Sequence, residues 1–559
     1  MSIKKTGVLV VGSGGAGVTA AIEAARCGAQ VMMVSKEPVG YGDTRISLGV
    51  MSMSPDMSIG DSDDQFVEDM IKGGEGLNDR KLVRALVADA LDATVTFEGF
   101  GHIFQRNEDG ILNRLAFPPG GHSASRAIAS PAVGISMGHV MRAAAARAKI
   151  EILEETLCVE VVVSGGELVG ATLLNKSTGE PMAVLAKAII LASGGAGSLY
   201  YPHTDCMPAL VGDSYGLALG AGGELVDMEQ VQFLPFGITH PSCLLGAPCG
   251  EPAMAGPFGR LLNAKGELVL EGIMPMTRAQ VARIVMEEIG RGGATEYGGL
   301  LLDLKPNIEG DGGDFFLMLM KKMGGPFLDI IRRAYGQKAA DLEEPWDVLP
   351  TAHYNMGGVK TDEWCRSRVA GLYACGQSQG GVMGGNRLGS TSLTEIFVFG
   401  KRAGKAAAAE SKERGFADEA AMKEPVDRLR GLFGREGAHR PVTLKRALQR
   451  LMWEKVGPLR DLPGLQQALK TIQGLKKQAA DLRVSPGKIY NSEAVDALEL
   501  GHMLVTAEAI TLSALERRES RGAHVRADFP DRDEVNPVVN MVVSEGNGGL
   551  EVRRAEVER

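Results

Sequence analysis

The feature that most constrains this chain lies at its start. Thr6 to Val11 is a short apolar run suited to a buried strand, and Gly12-Ser13-Gly14-Gly15-Ala16-Gly17 follows it directly. Val18 to Arg26 then reads as a helix with Ala20, Ala21, Ala24 and Ala25 as its packing face. Gly28 stops it, and Gln30 to Val34 is a second strand. A strand, glycine turn, helix and strand at this spacing form a dinucleotide-binding unit. Gly12 makes the tight turn, Gly14 lets the backbone approach a pyrophosphate, and Gly17 lets helix and strand pack closely. Gly15 and Ala16 open the helix, whose free N–H groups and positive dipole end face the phosphate.

The unit alone does not choose between NAD and FAD. An acid usually ends the second strand and binds the ribose. Here Ser35-Lys36-Glu37 stands there. Ser35 could bond a ribose hydroxyl, Glu37 could reach back to it, or both could be solvated strand-end residues.

Composition narrows the class. With 559 residues the chain has room for three to four domains, and 74 glycines suit repeated close approach of backbone to a ligand. A net charge of −9 argues against nucleic acid as the main partner, which needs a basic surface. No basic stretch leads into an apolar run at the N-terminus, and no apolar segment reads as long enough to span a bilayer. The expectation is a cytoplasmic protein that meets a membrane, the inner membrane above all, only through a partner. The seven cysteines are scattered with no Cys-x-x-Cys ladder, so they read as reduced thiols and not as metal or iron–sulfur ligands.

Further along, Gly40 to Met53 reads as a loop over a ligand, and Ile71 to about Arg147 contains helices. Ile150 to Leu174 alternates like a β-meander broken at Gly165-Gly166. Ala186 to Ala192 is a buried strand ending at Ser193-Gly194-Gly195, a second element that can return the chain to the cofactor. Pro350 to Gly400 reads as strand and glycine turns. Pro425 to Phe433, Val442 to Trp453, Leu465 to Leu482 and Ser492 to Arg518 carry helical periodicity, and the last forty or so residues look β-rich.

Three ordered segments then carry a resemblance: Thr351-Ala352-His353-Tyr354-Asn355-Met356-Gly357-Gly358, Gly371-Leu372-Tyr373-Ala374-Cys375-Gly376, and Gly385-Asn386-Arg387-Leu388-Gly389-Ser390-Thr391-Ser392-Leu393. With Gly212-Asp213-Ser214-Tyr215-Gly216, Asp227 to Phe233 and Ser520-Arg521-Gly522-Ala523-His524, they closely resemble the flavoprotein subunits of fumarate reductase and succinate dehydrogenase. The match runs over nearly the whole chain. It implies an α/β fold: a Rossmann-like FAD-binding domain (1–231 and 346–410) with an inserted α+β capping domain (232–345), a helical domain (411–518) and a small C-terminal domain (519–559).

The resemblance also implies roles. FAD is the expected cofactor, held by the glycine turn with Ser35 and Lys36, by Gly42, Asp43 and Thr44, by Ser193, Gly194 and Gly195, and by Asp213, Gln377, Arg387, Ser390, Ser392 and Leu393. Gln377 stands where the family usually has a glutamate. Arg387 and His353 are expected to bind a small carboxylate, since a guanidinium fork suits both its oxygens. Arg278, in Thr277-Arg278-Ala279-Gln280-Val281, is the candidate for proton delivery. An iron–sulfur electron-transfer protein is a candidate partner.

Three departures qualify this. Asp43 occupies the place of the histidine that links FAD covalently in the complexes, so non-covalent FAD is expected. Leu234-Pro235-Phe236 replaces a His-Pro-Thr motif that grips the far carboxylate of a dicarboxylate; Leu234 and Phe236 are therefore expected to make that end of the substrate site apolar. Ala255-Gly256-Pro257-Phe258-Gly259 stands where an Arg-Gly-Glu-Gly-Gly relay belongs, and nearby Glu251 is not expected to replace it. The reading is hydride transfer between flavin N5 and a carbon of a carboxylate other than fumarate or succinate. Two alternatives remain: an electron-transfer subunit with different chemistry, as in adenylylsulfate reductases, and an oxidase like L-aspartate oxidase.

Overall fold

A computed structural model describes residues 3–558. Its organising element is a seven-stranded sheet. Ile3–Val11 runs parallel to Val31–Val34 on one side and to Pro181–Leu191 on the other, with Val8 opposite Val31 and Val11 opposite Leu191. Glu151–Leu153 extends the sheet beyond Val31–Val34, and the Thr156–Ser164/Glu167–Asn175 hairpin extends it beyond Pro181–Leu191. Leu372–Ala374 also pairs in parallel with Pro181–Leu191.

The central strands alternate apolar faces, as a sheet covered on both sides requires. Val8 and Val10 join one core with the Gly15–Arg26, Arg80–Gly99, Val133–Arg147 and Thr391–Glu413 helices. Leu9 and Val11 join another with the Asp213–Gly220, Pro441–Val456, Leu462–Ala479 and Ser492–Glu516 helices. The expected helical domain thus shares its core with the sheet. Ser492–Glu516 corrects one expectation: at 25 residues it is long and apolar enough to cross a membrane, and most of its apolar stretch is buried inside the protein.

A second, six-stranded antiparallel sheet builds the capping region, in the order Pro248–Gly250, Val231–Ile238, Trp346–Asn355, Leu300–Asp303, Arg260–Leu262, Leu268–Glu271. It has its own core around Phe236, Leu302, Ile331 and Trp346. The expected return at residue 346 therefore falls inside this sheet, because Trp346–Asn355 pairs with Val231–Ile238 and carries the chain back along it. The C-terminal strands Val539–Gly546 and Gly549–Glu556 form a hairpin that pairs with Leu225–Val226, so this segment completes a sheet of the main body.

Two local readings also change. Gly40 to Met53 contains the short helix Asp43–Ile46 and the strand Val50–Ser52. Within the stretch read as strand and glycine turns, Thr391–Glu413 is a 23-residue helix packed along Gly15–Arg26.

Candidate active site

The glycine turn behaves as its spacing predicts. Gly12 has φ +111°, and a Cβ there would lie 2.3 Å from the Ala192 carbonyl oxygen; at Gly17 it would lie 2.1 Å from the Gly12 carbonyl oxygen. Both positions exclude a side chain, one by conformation and contact, the other by helix–strand contact. The Gly15–Arg26 helix starts after Gly14 with no side-chain cap and no acidic residue in its first turn, so its N-terminal N–H groups remain available to an anion.

This turn opens into a cavity of about 1390 Å³. Gly12, Gly14, Gly15, Ala16, Ser35, Lys36, Gly42, Asp43, Thr44, Ser193, Gly194, Asp213, Gln377, Arg387, Ser390, Ser392 and Leu393 all line it. Gly17 and Gly195 do not. Gly17 serves packing, and Gly195 sits behind Gln377, whose side chain a Cβ would strike at 2.7 Å. Ser35 is buried, with its Oγ 2.6 Å from Ser13 Oγ, so it is not a solvated strand end. Glu37 also borders the cavity, 3.5 Å from Lys176.

Lys36 and Asp213 form a buttressed pair. Lys36 Nζ is 2.7 Å from Asp213 and 2.9 Å from Glu499, and it donates to the Ala209 carbonyl. Asp213 also meets His502 Nδ1 at 2.9 Å. Burial alone would raise the Asp213 carboxyl, but Lys36 and His502 outweigh it and hold the group well below the usual range. Glu499 and His502 lie nearly three hundred residues or more from their partners, and no local pattern in the sequence marks them.

Asp43 accepts from Met207 N at 2.8 Å. Burial, aided by nearby Asp205, pushes its carboxyl up to about 7. Two buried polar atoms that border the cavity, Gln377 Nε2 and Arg387 Nε, have no hydrogen-bond partner within the described residues. Buried donors normally have partners. A glycine turn that excludes a Cβ at Gly12 and Gly17, a helix N-terminus aimed into the cavity and unpaired amide and guanidinium donors fit a dinucleotide such as FAD.

At the far end stand two arginines. Arg387 Nη2 donates to His353 Nε2 at 2.8 Å, and Asp205 Oδ2 lies 2.7 Å from His353 Nδ1. Because Nε2 accepts, the imidazole proton sits on Nδ1 and points at Asp205. Burial, aided by the neighbouring Arg278 charge, lowers Arg387 to about 10. Arg278 opens the Arg278–Gly290 helix, which Thr277 and Gln280 close with reciprocal hydrogen bonds. Its Nε and Nη2 meet the two oxygens of Glu251, both at 2.7 Å, and Nη1 donates to Gln232 Oε1. Gln232 Nε2 continues to the Arg387 carbonyl at 3.2 Å.

The structure adds a contact that the sequence reading did not give. Glu251 pairs with Arg278, because the Pro248–Gly250 strand ends at the cavity and presents the next residue to the helix start. Burial would raise Glu251, but Arg278 outweighs it and keeps the carboxyl below its usual range. Phe236, expected beside the substrate, does not line the cavity: it is fully buried in the capping core, whereas Leu234, two residues earlier, does line it.

Comparison with known proteins agrees with this geometry. The family description "FAD binding domain" matches residues 7–393 and "Fumarate reductase flavoprotein C-term" matches residues 445–559. The chain is an FAD-dependent oxidoreductase of the class that acts on CH–CH groups. Its relatives include one component of the fumarate reductase (CoM/CoB) of Methanothermobacter marburgensis, 37% identical over 94% of each chain. The Escherichia coli fumarate reductase flavoprotein subunit is 30% identical over 94% of this chain and 89% of its own. The Mycobacterium smegmatis Sdh1 in complex with UQ1 superposes with a TM-score of 0.88 at 28% identity, covering 100% of this chain and 95% of that one. The chain belongs to the family of fumarate reductase and succinate dehydrogenase flavoprotein subunits.

Proposed function

We propose that this protein reduces the C=C bond of an unsaturated carboxylate, or oxidises the corresponding C–C bond, and that fumarate and succinate are not its physiological pair. FAD, when bound, supplies two-electron hydride exchange. The chain's residues do the rest. Arg387, backed by His353 and Asp205, binds and orients the carboxylate. Bound donors stabilise the negative charge that builds on it in the transition state. Arg278 handles the proton at the neighbouring carbon. Arginine is a poor acid on its own, and Glu251, held on two of its nitrogens, provides the route by which the proton is replaced.

The observation that carries the substrate reading is Leu234. It lines the same cavity as Arg278 and Arg387, at the place where the family motif has a histidine. A second carboxylate set against it would lose hydration without gaining a partner, at a cost of several kcal/mol. A competing reading, fumarate itself, is favoured by the retained Glu251–Arg278 pair and by the names of the relatives. The test is to reduce the purified protein anaerobically and follow flavin reoxidation by fumarate and by unsaturated monocarboxylates. Faster turnover with the monocarboxylates is expected; fast turnover with fumarate overturns the reading.

The proposal includes non-covalent FAD, since the carboxylate at Asp43 cannot form a histidyl link; acid precipitation should leave a colourless pellet and a yellow supernatant. It also includes a cytoplasmic location and an iron–sulfur partner, because the named relatives are subunits of larger assemblies. Co-purification of an iron–sulfur protein with the native chain tests that part.

A further inference from the structure

The cavity of about 1390 Å³ takes in the dinucleotide cradle, the two-arginine end and part of the capping region together. Its lining is not uniform. Every charged side chain on its wall belongs to the dinucleotide cradle or to the two-arginine end. The capping region contributes another stretch, formed by residues 252–276 and 316–330, whose lining side chains are all uncharged and, among the described residues, almost entirely apolar.

Met254, Met276, Phe316, Leu319, Phe327 and Ile330 are among its larger side chains. Phe316 and Leu319 come from the Gly313–Met323 helix, and Phe327 and Ile330 from Gly325–Tyr335. Two of its four thioethers are tied to the chemistry through the chain itself. Met254 stands three residues after Glu251, and Met276 two residues before Arg278. Methionine suits a wall that must adapt to an irregular apolar ligand. The apolar stretch is thus continuous with the proton-handling pair, with Leu234 on the same wall, and it offers no donor to a second anionic group.

We propose that this capping-region annex is a tail subsite, which takes the alkyl or aryl group that an unsaturated monocarboxylate carries beyond its C=C bond. The inference rests on the one-ended carboxylate clamp argued above and names the substrate class for it: acids with an anionic head at Arg387 and an extended apolar tail running under the capping helices.

The test uses the intact FAD-loaded protein and two readouts. Butyrate, hexanoate and octanoate are titrated against the oxidised protein and followed by the visible difference spectrum of the flavin. Crotonate, 2-hexenoate, 2-octenoate and cinnamate are then compared as oxidants of the reduced protein. Each added methylene should tighten binding by about three- to fourfold until the annex is full, and kcat/KM should climb from crotonate to 2-octenoate. Leu319→Trp, which fills the annex from a half-buried position, should collapse the ratio of octanoate to butyrate affinity. Equal affinity along the series overturns the tail subsite and leaves the clamp reading intact if crotonate still reoxidises the flavin. Equal weakening of short and long acids in Leu319→Trp also overturns it, by making the annex part of a closing cleft. Reoxidation by fumarate with none of the monocarboxylates active overturns both readings.

Discussion

Glu251, partly exposed, and Glu395, fully buried, are both carboxyls near Arg387, yet they titrate in opposite directions. Glu251 has a guanidinium on both oxygens and stays ionised. Replacing it with glutamine keeps the shape and removes the charge that holds and resupplies Arg278. Loss of a positioned proton-transfer group typically costs about 10²–10⁴ in rate. Glu251→Gln should therefore lower kcat by that order while a non-reacting carboxylate binds within about threefold of its original affinity. Comparable losses in both would mark Glu251 as a binding group instead. Among the described residues Glu395 has only the Tyr354 hydroxyl as a hydrogen-bond partner, and burial pushes it up to about 8 despite the Arg387 charge. The folded protein then carries a proton that the unfolded chain releases near its ordinary value of 4.5. Between about pH 4.5 and 8 the native state binds more protons than the unfolded state, so stability falls as pH rises across that window. Glu395→Gln should flatten the decline in melting temperature between pH 5 and 8; an unchanged slope would show that Glu395 is ionised throughout.

Among the elements, those legible in the sequence are the ones specified by neighbouring residues. Gly12 and Gly17 fix their turn through local spacing, and the hairpin that turns at Gly165-Gly166 through its turn residues; Glu151–Leu153, read as part of the same meander, instead pairs in parallel with Val31–Val34. Thr391–Glu413 is illegible because its periodicity is masked by small residues that are buried for a non-local reason. A Cβ at Gly404 would lie 2.4 Å from the Ala20 carbonyl oxygen, and one at Gly400 2.7 Å from that of Ala16. Those glycines let two helices touch along their backbones, and in sequence they look like breakers. The active site divides in the same way. Arg387, His353 and Arg278 stand out through family motifs. Their supports do not: Asp205 lies 148 positions from His353, and Glu499 lies 463 from Lys36. The Glu251–Arg278 contact is hidden for a related reason, since the distance of Glu251 from a missing motif is readable while its direction at the end of Pro248–Gly250 is not. Leu234 and Phe236 differ likewise: a register shift in the pairing between Val231–Ile238 and Trp346–Asn355 falls between Leu234 and Gly237, and only the first of the two side chains reaches the cavity.

Across the whole molecule, the walls of the dinucleotide cavity run from Val11 to Ile396, and Glu499 and His502 brace two of their charged groups from the helical bundle. The bundle and the main sheet share one core, whereas the capping region has a core of its own. Cofactor binding should therefore stabilise the body as one unit and leave the capping region's own unfolding largely unmoved. At free FAD one hundred times its Kd, linkage adds about 2.7 kcal/mol to the unit that binds it. Unfolding entropy scales with size, at about 2.1 cal/mol/K per residue, so a body of roughly 450 residues should gain only about 3 °C. Calorimetry of protein stripped of FAD and then titrated with it should resolve one transition that climbs by about this amount and another that stays in place. A rise several times larger would mean that a much smaller unit binds the cofactor and melts first. The bundle would then be separable from the sheet in stability despite their common core, and the Lys36–Glu499 contact would be a junction between two folding units.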